Sequence, residues 1–504
     1  MRRSFIAIAC LLLAASTCMA QANAYSSWSN FPQQNTFIPI LLWLQNPGYS
    51  MGPGAPYSSE IAAMTALKIN TILAIDYGSG ASTPTGTCGT DPSGYNADYA
   101  NAGIYVISGT NATNSTTDNG SVYCIQQIFS NLGKSKYLMG YNLGDEGPCE
   151  SATMGATAIT AQTYDTTRPF FCNMQAFLFS SGSDPSNVMK DYGIGSFDDY
   201  VQINGYAVSY GPILSPAPTR DILWEQGWQM YENVNTYGRG PTSQPQFLFV
   251  EGGNNALGAS SQNGSTCTSG TPPLCSQGGT NHYFRTPAEM VNAEVWMGFI
   301  NGALGLEWFA DDSNSTAAGD PNNEVAYNFS LGSNASGNLT LATAAANNVL
   351  YIDTTLLNFA PEINSAIVDT CTMNTGASYS SYNTSCTGSH GVLTMSTGTS
   401  TVPGTAIVKN YNGTLYLFAD TDRYGQANMT FTLSGYAGYK ATVVYDSNAQ
   451  YDPTNSSVGN TFTLNGTGQF SDTFGANSHN YQPKIYMISS GGPAAPTGLT
   501  AAVN

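Results

Sequence analysis

The chain has 504 residues, of which 9% are charged, and its 14 Lys+Arg stand against 32 Asp+Glu for a formal net charge of -18. So few cations cannot assemble the basic surface that nucleic acid or an anionic membrane requires, so neither is expected as a partner. Three histidines (His282, His390 and His479) and no zinc-spaced cysteine pair argue against a metal site, and no Walker or strand-linked Gly-x-Gly-x-x-Gly pattern suggests a nucleotide cofactor.

Residues 1–24 read as a secretory signal peptide: Arg2 and Arg3, the apolar run Phe5 to Ala15, then Ala22-Asn23-Ala24 as a small-x-small cleavage site. No later apolar run has the length to span a bilayer, so a secreted protein, extracellular or periplasmic, is expected. From Thr36 to Asp311 a strand-like run recurs about every thirty residues with helix-compatible sequence between. The eight runs are Phe37 to Leu44, Ile69 to Ile75, Gly103 to Ser108, Tyr137 to Leu143, Pro169 to Asn173, Tyr200 to Asn204, Gln246 to Val250 and Ala303 to Phe309. Strands alternating with helices pair in parallel through right-handed crossovers, and eight of them close a (β/α)8 barrel, the TIM-barrel class of α/β fold. A last barrel helix is expected over Leu341 to Phe359, which places the barrel domain at 25–367.

Beyond Ile367 the texture changes to short Thr/Val/Tyr-rich runs between Gly, Asn and Ser turns, and residues 368–490 are expected to form an antiparallel β-sandwich. Gly413 to Asp420, Asn428 to Leu433, Ala441 to Asp446, Thr461 to Leu464 and Lys484 to Ile488 are its strand candidates. Residues 491–504 read either as a linker and the opening of a truncated fibronectin type III-like module or as a disordered tail. Eight cysteines remain after the signal, an even number that in an exported chain suggests disulfides. Cys149 with Cys172 and Cys88 with Cys124 would staple neighbouring barrel segments, and Cys267 with Cys275 and Cys371 with Cys386 would close short loops.

Reactive groups of such a barrel stand at the carboxyl ends of its strands. The fourth run closes on Leu143-Gly-Asp145-Glu146-Gly-Pro and the seventh on Phe249-Val-Glu251-Gly-Gly. Two carboxyl groups facing each other across one mouth suffice to cleave a glycosidic bond, one protonating the leaving oxygen while the other attacks. With Phe37-Ile-Pro-Ile-Leu-Leu-Trp43, Asp165-Thr-Thr-Arg-Pro169 and Gly302-Ala-Leu-Gly-Leu-Glu-Trp308, the chain from Thr36 to Ile488 resembles the retaining glycoside hydrolases of clan A. That resemblance implies Glu146 as acid/base and Glu251 as nucleophile, Tyr206 as a partner of the nucleophile, and Trp308 as an aromatic floor under the sugar. It does not extend to a subfamily, because many members carry Asn before the acid/base where this chain has Asp145.

Asp145 either orients Glu146 or a substrate hydroxyl, or caps the following helix. Asn173 and Asn204, at the ends of the fifth and sixth runs, are candidate sugar-binding amides, and His282 lies in the long segment between runs seven and eight. Glu307 and Asp311 are rival carboxylates; since Glu307 adjoins Trp308, strand alternation sends only one of that pair into the barrel. A carbohydrate substrate follows, and scarce cations disfavour uronate polymers, so a neutral β-linked polysaccharide or oligosaccharide is the expected class. The competing class is a non-catalytic carbohydrate-binding or surface-attached protein on a barrel scaffold; a serine hydrolase lacks its Gly-x-Ser-x-Gly elbow. Subsites lie on variable loops, so the sugar, the linkage and the oligomeric state are not legible.

Overall fold

The structure is a computed structural model. It describes residues 25–33, 35–44, 57–74, 95–109, 118–145, 149, 152–174, 193–197, 231, 234, 244–251, 266–267, 274–277, 281–284, 288–309, 331–333, 339–341, 344–373, 382–398, 402–422, 425–475 and 481–490. The chain divides into two compact units, one of residues 23–360 and one whose described part is 361–490; the division falls ahead of the change of texture near Ile367. The signal segment and the tail 491–504 lie outside the described residues.

The first unit is a closed parallel barrel of eight strands: β1 (Ile40–Leu44), β2 (Thr71–Ala74), β3 (Tyr105–Gly109), β4 (Leu138–Asp145), β5 (Phe170–Met174), β6 (Ile194–Phe197), β7 (Gln246–Glu251) and β8 (Gly305–Phe309). Seven of the eight expected runs meet these strands. The sixth does not: β6 forms from Ile194–Phe197, while Tyr200 to Asn204 lies outside the described residues. Gly195 and Ser196 give β6 little apolar signal, yet small residues suit its place, because a side chain on the preceding Gly193 would run into Trp28 and Pro169. Between the strands lie α1 (Tyr57–Leu67), α2 (Tyr95–Asn101), α3 (Asp118–Leu132), α4 (Ala152–Gln162) and α5 (Ala288–Asn301), and α6 (Ala344–Asn358) follows β8.

Alternation divides each strand between lumen and helix layer. The lumen holds Leu41, Leu73, Ile107, Met139, Phe171, Ile194, Phe247 and Phe249 in one apolar cluster. At the amino end this cluster is closed by Tyr25 and Phe31, whose rings stack 4.1 Å apart, and the Tyr25 hydroxyl donates to the Leu304 carbonyl. On the outer side, α6 presents Val349, Ile352, Asp353 and Leu356 as a buried stripe at helical spacing.

The turn into β5 is fastened by Arg168. Its guanidinium donates to the carbonyls of Leu138, Gly133 and Ser135 and pairs with Asp165 at 2.8 Å, both side chains being buried. Asp165 also accepts from the Tyr141 hydroxyl and from Thr167. Burial opposes ionisation of Asp165, but hydrogen bonds from Thr167, Tyr141 and Arg168 outweigh it and hold the carboxyl below its ordinary value.

The second unit carries two antiparallel sheets. Its strands are β9 (Ala366–Thr372), β10 (Ser385–Thr387), β11 (Leu393–Thr397), β12 (Gly404–Tyr411), β13 (Thr414–Thr421), β14 (Ala427–Leu433), β15 (Lys440–Asp446), β16 (Thr461–Thr463), β17 (Gln469–Phe474) and β18 (Lys484–Ser489). One sheet runs β9-β12-β13-β18-β15-β16 and the other β10-β11-β14-β17, so the (β/α)8 barrel is followed by an all-β sandwich as expected. Its core gathers Leu415, Leu417, Phe431, Phe470 and Tyr486, and the Cys371–Cys386 disulfide ties β9 to β10, joining one sheet to the other.

Candidate active site

Because all eight strands are parallel, their carboxyl ends share one mouth. Asp145 is the last residue of β4 and Glu251 the last of β7, with β5 and β6 between them around the barrel. Positions 247, 249 and 251 fall on one face of β7, and Phe247 and Phe249 of that series lie in the lumen cluster. Glu146 follows Asp145 directly in the chain and lies outside the described residues, as do Asn204 and Tyr206. The segment that carries Glu146 is anchored on both sides: Asp145 pairs in register with Asn173 of β5, and Cys149 is joined by a disulfide to Cys172 of the same strand, their Cα atoms 5.7 Å apart.

Beneath the mouth the lumen turns polar. Asn173 stands in register with Ser196, and the Ser196 hydroxyl donates to Glu307 Oε2 at 3.4 Å. Ser196 and Glu307 belong to β6 and β8, which are not neighbours, so a contact between them lies inside the barrel. Asn142 is in register with the inward Phe171 and is likewise buried. Asn142 and Ser196 were not among the expected site residues. Alternation within Gly140-Tyr-Asn-Leu marked the first, whereas the second was hidden by the misplaced sixth strand.

Trp308 departs from expectation. It is fully buried, and its indole Nε1 donates to Asp353 Oδ1 of α6 at 3.0 Å. With Glu307 turned into the lumen, its neighbour must face the helices, so Trp308 is a packing residue and does not floor a sugar site. Asp353 is enclosed with it, and burial raises its carboxyl well above the ordinary value against the opposing effect of the indole hydrogen bond.

His282 stands on the third strand (Asn281–Phe284) of a small antiparallel ribbon inserted after β7, opposite Ser276. In the same ribbon Cys267 and Cys275 are directly paired positions, whereas Cys88 lies outside the described residues. Among the described residues no group of three or more His, Cys, Asp or Glu side chains is placed to hold a metal ion, and no helix is long and apolar enough to cross a membrane.

No protein-family model and no curated protein sequence matches the chain. Solved structures do. A catalytic mutant of Gan42B, a family 42 β-galactosidase from G. stearothermophilus, is 8% identical with a TM-score of 0.51 and covers 92% of this chain and 100% of its own. Gan42B itself gives a TM-score of 0.50 at 9% identity, over 92% and 99%. A family 5 glycoside hydrolase from Bacteroides vulgatus aligns at 11% identity over 90% and 89%, with a TM-score of 0.48. At such identities the likeness is one of fold.

Proposed function

We propose that this chain is a secreted, retaining glycoside hydrolase of the clan A type that cleaves β-glycosidic bonds of a neutral polysaccharide or oligosaccharide. The observation that carries the reading is the ending of β4 at Asp145, one residue before Glu146, and of β7 at Glu251, at one and the same end of a closed parallel barrel. The β-galactosidase neighbours of the same architecture support it, and two disulfides suit an oxidising compartment.

In this reading Glu251 attacks the anomeric carbon as protonated Glu146 delivers its proton to the leaving oxygen. Glu146 then takes a proton from water as that water releases the sugar from Glu251. Direct attack requires the two carboxyl groups about 5 to 5.5 Å apart. In the same reading Asp145 and Asn173, paired in register, hold sugar hydroxyls or orient Glu146, with the buried Asn142 nearby on β4. Tyr206, Asn204 and His282 remain candidate binding residues on the segments after β6 and β7.

The test is a panel of neutral polysaccharides and aryl β-glycosides with product configuration read by NMR. Retention is expected, and Glu146→Ala should slow the natural polymer far more than an aryl glycoside whose leaving group needs no proton. Inverted product, or equal loss on both substrates, would overturn the assignment of roles. A protein that binds the polysaccharide but turns nothing over would favour the binding-module reading.

A further inference from the structure

The four-stranded sheet of the sandwich, β10-β11-β14-β17, sends alternate residues to opposite faces. Met395, Phe431 and Phe470 go into the core. The residues between the core positions form rows across all four strands. In one row Thr387 stands opposite Thr394, Thr394 opposite Thr432, and Thr432 opposite Gln469. In the next, Ser385 stands opposite Ser396, Ser396 opposite Thr430, and Thr430 opposite Ser471. Asn428 and Thr473 start a third. These positions are exposed or half-buried, and they carry eight hydroxyls and two amides with no charged or apolar side chain among them. Asp472, the one charged residue on these strands, points the other way and accepts from Lys484 and Tyr486 of the facing sheet. On that six-stranded sheet the outward row Ile407, Phe418 and Ile485 is apolar and buried, so of the two outer faces the hydroxyl one meets solvent.

We infer that this face of the sandwich is a binding surface for a neutral, polyhydroxylated polymer, the chemical class of the substrate proposed above; the inference rests on that reading for its occupant but not for its geometry. Solubility alone does not call for such a face. Charged side chains keep a sheet soluble at least as well, and they also guard its edges against pairing with another chain, yet the edge strands β10 and β17 turn none outward. In a chain of net charge -18 an uncharged face repels no neutral partner and offers a charged one nothing to pair with. Each hydroxyl has one donor and two acceptor sites, and each amide has both kinds, which is the complement a sugar presents. Thr430 and Ser471 bond across the strands at 2.8 Å, and Thr394 to Thr387 and Gln469 to Thr432 at 3.4 Å, which orients the groups and leaves their other sites to a partner. Each row spans about 14 Å and the rows lie about 7 Å apart. A single solvated hydrogen bond gains little, so only a partner that repeats its hydroxyls over that distance is held, by many weak contacts at once.

The test is the partition of the full chain onto insoluble cellulose, mannan and β-1,3-glucan, with polygalacturonate gel as the charged control. Wild type should bind at least one of the neutral polymers and not the charged one. Replacing the middle row in a single variant, Ser396→Ala with Thr430→Val and Ser471→Ala, removes three hydroxyls from solvated positions. It should weaken binding roughly tenfold with the melting temperature near wild type. Thr430→Glu, which sets one charge in the centre of the row, should weaken binding as well. A wild type held by none of the neutral polymers, one held equally by polygalacturonate, or a folded row variant that binds as wild type does would each overturn the inference. So would sedimentation showing that the row substitutions split a dimer while polymer binding is unchanged, since the occupant would then be a second copy. Turnover of an aryl β-glycoside by the same preparations separates the two readings. If binding follows the row but wild type turns nothing over, the glycosidase reading has failed and the face stands; if wild type turns over and its binding ignores the row, only the face has failed.

Discussion

At the amino end of the barrel the lumen is stoppered by Tyr25 and Phe31 over Leu41, Leu73, Ile107 and Phe247, and the turn beside it is locked by Arg168 and Asp165. At the carboxyl end the same strands present Asn142, Asn173, Ser196 and Glu307, followed by Asp145 and Glu251 at the strand tips. At the amino end the buried Arg168–Asp165 pair fastens backbone carbonyls. The carboxyl end instead gathers buried polar groups inside the lumen beneath the strand tips. Substitutions at the two ends should therefore separate cleanly into losses of stability and losses of turnover.

The largest contrast is expected at Glu251. Glu251→Gln should lower kcat by roughly four orders of magnitude on every substrate and leave the melting temperature within a degree or two of wild type. Parallel loss of turnover and of melting temperature would mean that the strand-seven end carries fold and not chemistry.

Arg168→Ala is the amino-end counterpart. It strands the Asp165 carboxylate in a buried place and leaves three carbonyls without their donor, so a destabilisation of about 3 to 5 kcal/mol is expected, with kcat per folded molecule little changed. Because the folded Asp165 carboxyl sits below its ordinary value of 3.8, its contribution is present above that value and is lost as pH falls through the lower folded value. Wild type should therefore lose part of its advantage over Arg168→Ala in that acidic window, which urea titrations at two pH values can read. An advantage that stays constant into strong acid would show that the Asp165 network adds nothing through charge.

What the sequence made legible divides along the same line. Strands of the amino half announce themselves through runs such as Ile40-Leu-Leu-Trp and Phe247-Leu-Phe-Val, because packing there demands apolar residues on both faces. Ile194-Gly-Ser-Phe was illegible: the close approach of Trp28 and Pro169 at Gly193 and the polar inward Ser196 remove the signal by which strands are found. Trp308 was misread for a related reason, since an aromatic residue at a strand end fits a sugar floor and a helix contact equally until the facing of Glu307 is known. In the sandwich, β12 was missed partly because Lys409 interrupts its apolar run; the lysine is buried, and its ammonium donates to the Ile363 carbonyl.

The Cys149–Cys172 bridge joins the two themes, because it fastens the segment next to Glu146 onto β5. Replacing both cysteines by serine should cost about 2 to 4 kcal/mol, in line with closing a loop of this length. If the bridge also orients the acid/base, kcat on the natural polymer should fall further than kcat on an activated aryl glycoside. Equal effects on the two substrates would confine its role to stability.

The smallest effect sharpens the comparison most, because it concerns a buried acid that belongs to neither end. Asp353 accepts the Trp308 indole hydrogen bond through Oδ1, and among the described residues its Oδ2 meets no hydrogen-bond donor. Burial raises its folded value well above 3.8, so its favourable contribution is present below that ordinary value and is lost as pH rises through the raised one. Asp353→Asn keeps an oxygen for the indole and removes the group that resists ionising. The variant should match wild type near about pH 4 and exceed it by about 1 kcal/mol near about pH 8, with no change in turnover per folded molecule. Asp353→Leu, which leaves the indole N–H without an acceptor, should instead cost about 1 to 3 kcal/mol at both pH values. A gain for Asp353→Asn at neither pH, or an equal loss at both, would show that the carboxylate is held ionised in the folded protein.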